Sequence, residues 1–114
     1  MRIQTSVTLA GTLAACLIGL APAARAADAD AAQALARQNS CLKCHGLDKA
    51  KDGPSLRDIA AKYKGKADAA QRLITHITSG EKTKYPDGHE EEHKIIKSPD
   101  AAKTKNLVEW ILSL

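Results

Sequence analysis

The sequence predicts an all-α fold of about four helices. Three observations support this. Ala-rich or apolar residues recur at helical spacing in four separate segments, capping residues stand at the ends of those segments, and no stretch alternates apolar with polar residues as a half-buried strand would.

The chain has 114 residues, enough for one domain, and its first segment reads as a leader rather than as part of that domain. Met1-Arg2 opens with a positive charge, residues 3–21 are mostly apolar or small, and Ala24-Arg25-Ala26 offers an A-x-A cleavage site before the sequence turns acidic. The domain division is therefore 1–26 as a signal peptide and 27–114 as the mature domain. Leu13-Ala14-Ala15-Cys16 also resembles a lipoprotein box, but the residues after Cys16 stay apolar, so a lipid anchor on Cys16 is the lesser alternative.

In the mature part, the Ala-rich run from Asp28 to Asn39 predicts the first helix, with Leu35 as its main apolar contact. Ser55 is placed to cap a second helix that runs to about Tyr63 and closes before Gly65, with Asp58 as a capping-box partner. A third begins near Asp68, gathers Leu73, Ile74 and Ile77 on one face and ends at Gly80. Residues 81–98 read as a long loop, and a loop of that length in a small domain is usually functional. Ser98-Pro99 reads as an N-cap followed by a first-turn proline, opening a last helix that carries Leu107, Val108, Trp110, Ile111 and Leu114.

Arg2 and Arg25 fall in the leader, so the mature chain carries 15 basic against 13 acidic residues, a net charge of +2. Charges of both signs are interspersed, which gives an ordinary solvated surface and no nucleic-acid footprint. The apolar content is thin. There is no Phe, and the aromatic residues are Tyr63, Tyr85 and Trp110. A domain this small with so little bulk needs a staple such as a disulfide, a metal or a cofactor.

Cys41-Leu42-Lys43-Cys44-His45 supplies one. C-x-x-C-H is the attachment motif for haem c. Thiols one helical turn apart can reach the two porphyrin vinyl groups and form thioethers, and the following His45 is then placed under the iron as proximal ligand. Export fits, because covalent haem attachment takes place outside the cytoplasm. The rival readings are weaker. A thioredoxin-type C-x-x-C needs a βαβ context, a zinc ribbon needs a second Cys pair, and a disulfide across three residues closes too short a loop to stabilise much. The faces of one iron porphyrin per chain would also supply the apolar area that the missing Phe residues do not.

CLKCH, Gly53-Pro54 eight and nine residues after His45, two middle helices, a loop and a Trp110-bearing last helix together resemble a small bacterial class I cytochrome c. The stretch "DGPSLRDIAAKYKGKADA" is similar to the region after the haem motif in that family, and the resemblance covers nearly all of residues 29–114. It implies the cytochrome c fold, helices wrapped around one covalently attached haem. It also implies that the Pro54 carbonyl accepts a hydrogen bond from Nδ1–H of His45, which orients the ring and raises its basicity. Two positions depart from the family pattern. Leu35 and Ala36 stand where the first helix usually presents an aromatic, and Ser40 stands where Gly often precedes the first Cys.

The family usually places a distal Met ligand in the loop before the last helix. The sole Met of this chain is Met1, inside the leader, so composition excludes a His/Met pair. Imidazole suits iron well. His93 lies within a residue or two of the Met slot and precedes Ile95-Ile96, which makes it the first candidate. His89, Lys94 or another Lys, and no protein ligand are the alternatives. The resemblance suggests a different role for His76, near a haem propionate.

His89-Glu90-Glu91-Glu92-His93 also matches the zinc-protease pattern H-E-x-x-H. That chemistry needs the motif on a helix, a third ligand and a peptide cleft, whereas here Pro86, Gly88 and charged residues flank it. No acid, base or nucleophile is organised for catalysis, so the reading is a non-enzyme. The function expected is a monomeric, periplasmic electron carrier, bis-histidine ligated and of lowered potential. It would exchange electrons with redox partner proteins and have no membrane span once the leader is removed. Lys43, Lys49 and Lys51 could steer an acidic partner, with the three glutamates as a solvated rim opposing one. The alternatives are a haem protein that binds or senses a small gas, and a cytochrome subunit of a larger periplasmic oxidoreductase.

Overall fold

A computed structural model describes residues 25–114. Most of the expected leader, and Cys16 with its lipid alternative, lie outside the described residues.

The first helix, α1, spans Ala29–Gln38, and the Asp28 carboxylate caps it by accepting the Ala31 N–H at 3.0 Å. It buries Ala32, Leu35 and Ala36 on one face. A single turn, α2, follows at Cys41–Cys44. Helix α3 spans Leu56–Tyr63, and the Ser55 hydroxyl accepts the Asp58 N–H at 3.0 Å. Among the described residues no hydrogen bond returns from the Asp58 side chain to Ser55, so the box is capped on one side. Helix α4 spans Ala69–Ser79 and stops at Gly80, whose left-handed φ of 70° turns the chain back on itself. Helix α5 spans Ala101–Leu112 and buries Leu107, Val108 and Trp110.

The core joins α1, α3 and α5 through Ala32, Leu35, Ala36, Leu56, Leu107 and Trp110, with Ile96 added from the loop before α5. Ala32 and Ala36 are 0% and 1% exposed. Their methyl-sized side chains let α1 approach α5 closely. The Asn106 side chain completes the joint from α5. Its Oδ1 accepts the Asp28 N–H at 2.8 Å, and its Nδ2 donates to the Asp28 carbonyl at 2.9 Å. The start of α1 is thereby paired to α5 as a strand neighbour would be.

Two elements differ from the sequence expectation. The 81–98 segment contains a small antiparallel hairpin, β1 at Lys82–Lys84 and β2 at Glu90–Glu92, paired Lys82 to Glu92, Thr83 to Glu91 and Lys84 to Glu90. It shows no apolar alternation because neither face is buried. Opposite charges sit across the ladder instead, which is favourable for cross-strand pairs. The last helix is capped by Asp100 rather than Ser98. The Asp100 carboxylate accepts the N–H groups of Ala102 and Lys103 at 2.9 and 3.3 Å. A carboxylate at a helix N-terminus is a stronger acceptor than a hydroxyl and also meets the positive end of the dipole.

The segment between β2 and α5 is held at three points. His93 N–H donates to the Glu81 carbonyl at 3.0 Å, Ile96 N–H to the Ile77 carbonyl at 2.8 Å, and Lys97 N–H to Asn39 Oδ1 at 2.8 Å. Ile96 is buried, while Ile95 is half exposed. The fold thus fixes residues 93–97 against α4 and the end of α1, and with them the orientation of His93.

Candidate functional site

The site begins at α2. Cys41 and Cys44 are unpaired, partly buried thiols one turn apart, and burial pushes the Cys41 thiol above its ordinary pKa, so it is held neutral. The turn is entered through Ser40, the one non-glycine described residue with positive φ, at 58°. A left-handed residue there reverses the chain between α1 and α2, which explains why a glycine suits this place in the family pattern.

His45 leaves α2 in extended conformation, its N–H still bonded to the Cys41 carbonyl at 2.9 Å. The following loop folds back over its ring. Gly53 N–H donates to the Cys44 carbonyl at 2.9 Å, and His45 bridges Ala50 in antiparallel fashion. Nδ1–H of His45 donates to the Pro54 carbonyl at 2.7 Å. A Cβ at Gly53 would stand 2.5 Å from Cε1 and 2.8 Å from Nδ1 of that ring, so the backbone presses on the imidazole and leaves it one orientation. Its Nε2 is left free to take a metal.

His93 faces His45 with ring centroids 6.1 Å apart and planes inclined by 40°. Its Nδ1 is buried without a hydrogen-bond partner. Burial first, then the neighbouring His76 and His45, hold its pKa below the ordinary value, so the ring is neutral, the form that binds metal. His76 lies against His93, with ring centroids 4.2 Å apart. Its Nδ1–H donates to Glu81 at 2.7 Å, a contact that no sequence pattern marked.

His89 is turned elsewhere. It stacks on Tyr85 with centroids 4.4 Å apart, its Nδ1 is bonded to Asp87, and its Nε2 stands 3.3 Å from Glu91. The Asp87 contact raises its pKa, and Glu91 adds to this. Both nitrogens are committed to carboxylates, an arrangement that favours the protonated ring and opposes metal binding. Lys94 is exposed. His89 and His93 flank β2, and four residues of strand span about 13 Å, too far for the two rings of H-E-x-x-H to close on one zinc ion. Among the described residues no cluster of three or more His, Cys, Asp or Glu is arranged for a bare metal ion.

The residues fit an iron porphyrin. A ring centroid sits about 1.1 Å behind its ligating nitrogen and a metal–imidazole bond is about 2.0 Å, so two imidazoles on opposite sides of one metal have centroids about 6.2 Å apart. The observed separation of His45 and His93 is 6.1 Å. The two free thiols, the His45 ring held between Gly53 and Pro54, and the neutral His93 ring all meet the needs of a haem attached at α2.

Residues 29–114 match the cytochrome c family as a whole. Cytochrome c-552 of Nitrosomonas europaea is 38% identical over 104 residues, covering 91% of this chain and 93% of that protein. Cytochrome c-551 of Allochromatium vinosum is 35% identical, covering 70% of this chain and 82% of its own. Among solved structures, the class 1 cytochrome MtoD of Sideroxydans lithotrophicus ES-1 superimposes with a TM-score of 0.75 at 63% identity, over 77% of this chain and 97% of that one. Nitrosomonas europaea cytochrome c552 superimposes with a TM-score of 0.59 at 37% identity, over 76% and 99%. Helical fold, attachment motif and relatives agree: the chain belongs to the cytochrome c family, as a small class I member that carries one covalently bound haem c and serves electron transport.

Proposed function

We propose that the mature chain, residues 27–114, is an exported, periplasmic electron carrier whose haem iron is held between His45 and His93, at a potential below that of Met-ligated relatives. The observation that carries this is the 6.1 Å separation of the two rings, close to the span of two imidazoles on one metal. The lack of any Met beyond Met1 supports it from composition.

The haem iron supplies the one-electron couple. The protein's part is to hold its ligands still. Pro54 and Gly53 fix the His45 ring, and the three bonds on residues 93–97 fix His93. A pair of imidazoles that stays in place in both oxidation states keeps reorganisation small. Replacing a thioether by imidazole lowers the potential, since Met/His pairs raise it. Redox partners are implied for any such carrier. Exposed Lys43 and Lys49 beside the attachment turn are placed to steer an acidic one, whereas Lys51 Nζ is engaged with the Leu42 carbonyl at 2.7 Å. The Glu90–Glu92 rim is partly offset by the lysines of β1 across the ladder. Among the described residues no helix is long and apolar enough to cross a membrane.

One observation favours a second reading, a haem protein that takes a small gas. The buried, unpartnered Nδ1 of His93 deprives that ring of the hydrogen bond that strengthens most metal-bound imidazoles, so it is the ligand more easily displaced. Optical spectra of the purified mature protein separate the two. A carrier shows a six-coordinate, low-spin haem in both oxidation states and slow, weak carbon monoxide binding. Rapid, tight binding to the reduced protein would select the gas-binding reading.

A further inference from the structure

A second imidazole, that of His76, stands beside His93. The His93 ring centroid stands 6.1 Å from that of His45 and 4.2 Å from that of His76. One residue organises His93 and His76. The Glu81 carbonyl accepts the His93 N–H at 3.0 Å, and its carboxylate accepts Nδ1–H of His76 at 2.7 Å. Gly80, in left-handed conformation, makes this possible by turning Glu81 back toward the last turn of α4.

The two rings differ in a way that matters for metal binding. Metal-bound histidines almost always donate their second ring N–H to a carboxylate or carbonyl, which fixes the tautomer and raises basicity. His76 has that partner in Glu81, and His93 has none. In the neutral ring that gives Nδ1–H to Glu81, the lone pair is on Nε2, the atom that would bind iron. His76 also stands on a regular helix, one residue before Ile77, whose carbonyl anchors the His93 segment at Ile96. A propionate contact would have to use the same Nε2.

We propose that His76, oriented by Glu81, is a second distal ligand that takes the iron when His93 is withdrawn. The inference rests on His93 being the resident ligand. The exchange breaks one iron–nitrogen bond and makes another at the same oxidation state, with Nδ1–H of His76 remaining on Glu81.

The test uses the haem-loaded mature protein, wild type and the variants H93A, H76A, H93A/H76A and H93A/E81Q, examined by optical and electron paramagnetic resonance spectroscopy in the oxidised state. The proposal expects H93A to stay six-coordinate and low-spin and H93A/H76A to become high-spin, with H93A/E81Q a mixture of the two. Exogenous imidazole should bind H93A/H76A at least about tenfold more tightly than H93A, because no internal ring competes. A high-spin H93A overturns the proposal and leaves His93 as the resident ligand. A low-spin H93A/H76A overturns it by showing that another group fills the position. A high-spin H76A beside an unaltered H93A overturns both this and the reading it rests on. If H93A does not accumulate as holoprotein, imidazole binding to H76A decides. Affinity at least about threefold above wild type supports a competing His76, and equal affinity overturns it.

Discussion

A side chain at Gly53 would lie 2.5 Å from Cε1 of His45. The proximal ring is therefore seated against backbone, and the glycine is needed for what it lacks. Carbon atoms in contact stand about 3.5–4.0 Å apart, so Gly53→Ala must move the ring by roughly 1 Å, and the 2.7 Å bond to Pro54 goes with it. The expected outcome is a loss of about 1–3 kcal/mol in stability, as for other overpacked sites, with a visible high-spin fraction. Denaturant unfolding and the optical spectrum of the haem-loaded variant check both. A variant as stable and as fully low-spin as wild type would show that the ring is not seated this way.

The ligand pair sets the potential. Axial ligands move haem potentials over a range of about 0.8 V, and Met/His pairs lie on the raised side. The proposed pair of imidazoles implies that the mature protein is reduced at a potential roughly 0.1 V or more below that of a Met-ligated relative of the same fold. Protein-film voltammetry of this chain beside Nitrosomonas europaea cytochrome c-552, provided that relative is first shown to be Met-ligated, is the measurement. Equal potentials would contradict the assignment.

Ser40 has φ of 58°, a conformation that costs an L-residue about 1–2 kcal/mol. Glycine adopts it freely but loses more entropy on folding, by about 0.5–1 kcal/mol. Ser40→Gly should therefore stabilise the holoprotein by about 0.5–1 kcal/mol and leave the spectrum unchanged. Thermal and denaturant unfolding decide; a destabilised variant would mean that the serine contributes more than its backbone conformation reveals.

The hairpin turn should titrate on its own. His89 is raised above its ordinary pKa by its contact with Asp87, and Asp87 is lowered by the same contact. The His89 contribution is complete below the unfolded value of about 6.5 and is lost as pH rises through the raised folded value. The Asp87 contribution is present above about 3.9 and is lost as pH falls through the lowered folded value. The pair thus tightens the turn across mildly acidic pH. Proton NMR should show the His89 ring titrating above 6.5 and falling back toward it in Asp87→Asn. An unchanged midpoint in that variant would refute the pairing.

Much of this was legible in the sequence, for identifiable reasons. Cys41, Cys44 and His45 carry their chemistry in their spacing. The bounds of α1, α3 and α4 follow from Asp28, Ser55 and Gly80, residues whose local roles do not depend on distant partners. The hairpin was not legible because its strands bury nothing, so its lysine and glutamate ladder has no alternation to read. Asp100 was missed because the Ser98-Pro99 pair two residues earlier gives the same kind of signal. The coupling of His76, Glu81 and His93 was hidden for a different reason. It depends on the left-handed turn at Gly80, and only three-dimensional closure brings a residue five positions beyond His76 back to its ring. The glycine that ends α4 was the available clue.

The most direct measurement is an electron-density map of the haem-loaded mature chain, read at the iron. Nε2 of His45 and Nε2 of His93 should each stand about 2.0 Å from the metal, the length of an ordinary metal–imidazole bond, with thioether bonds at Cys41 and Cys44. A water, a lysine nitrogen or the His89 ring in the sixth position would contradict it.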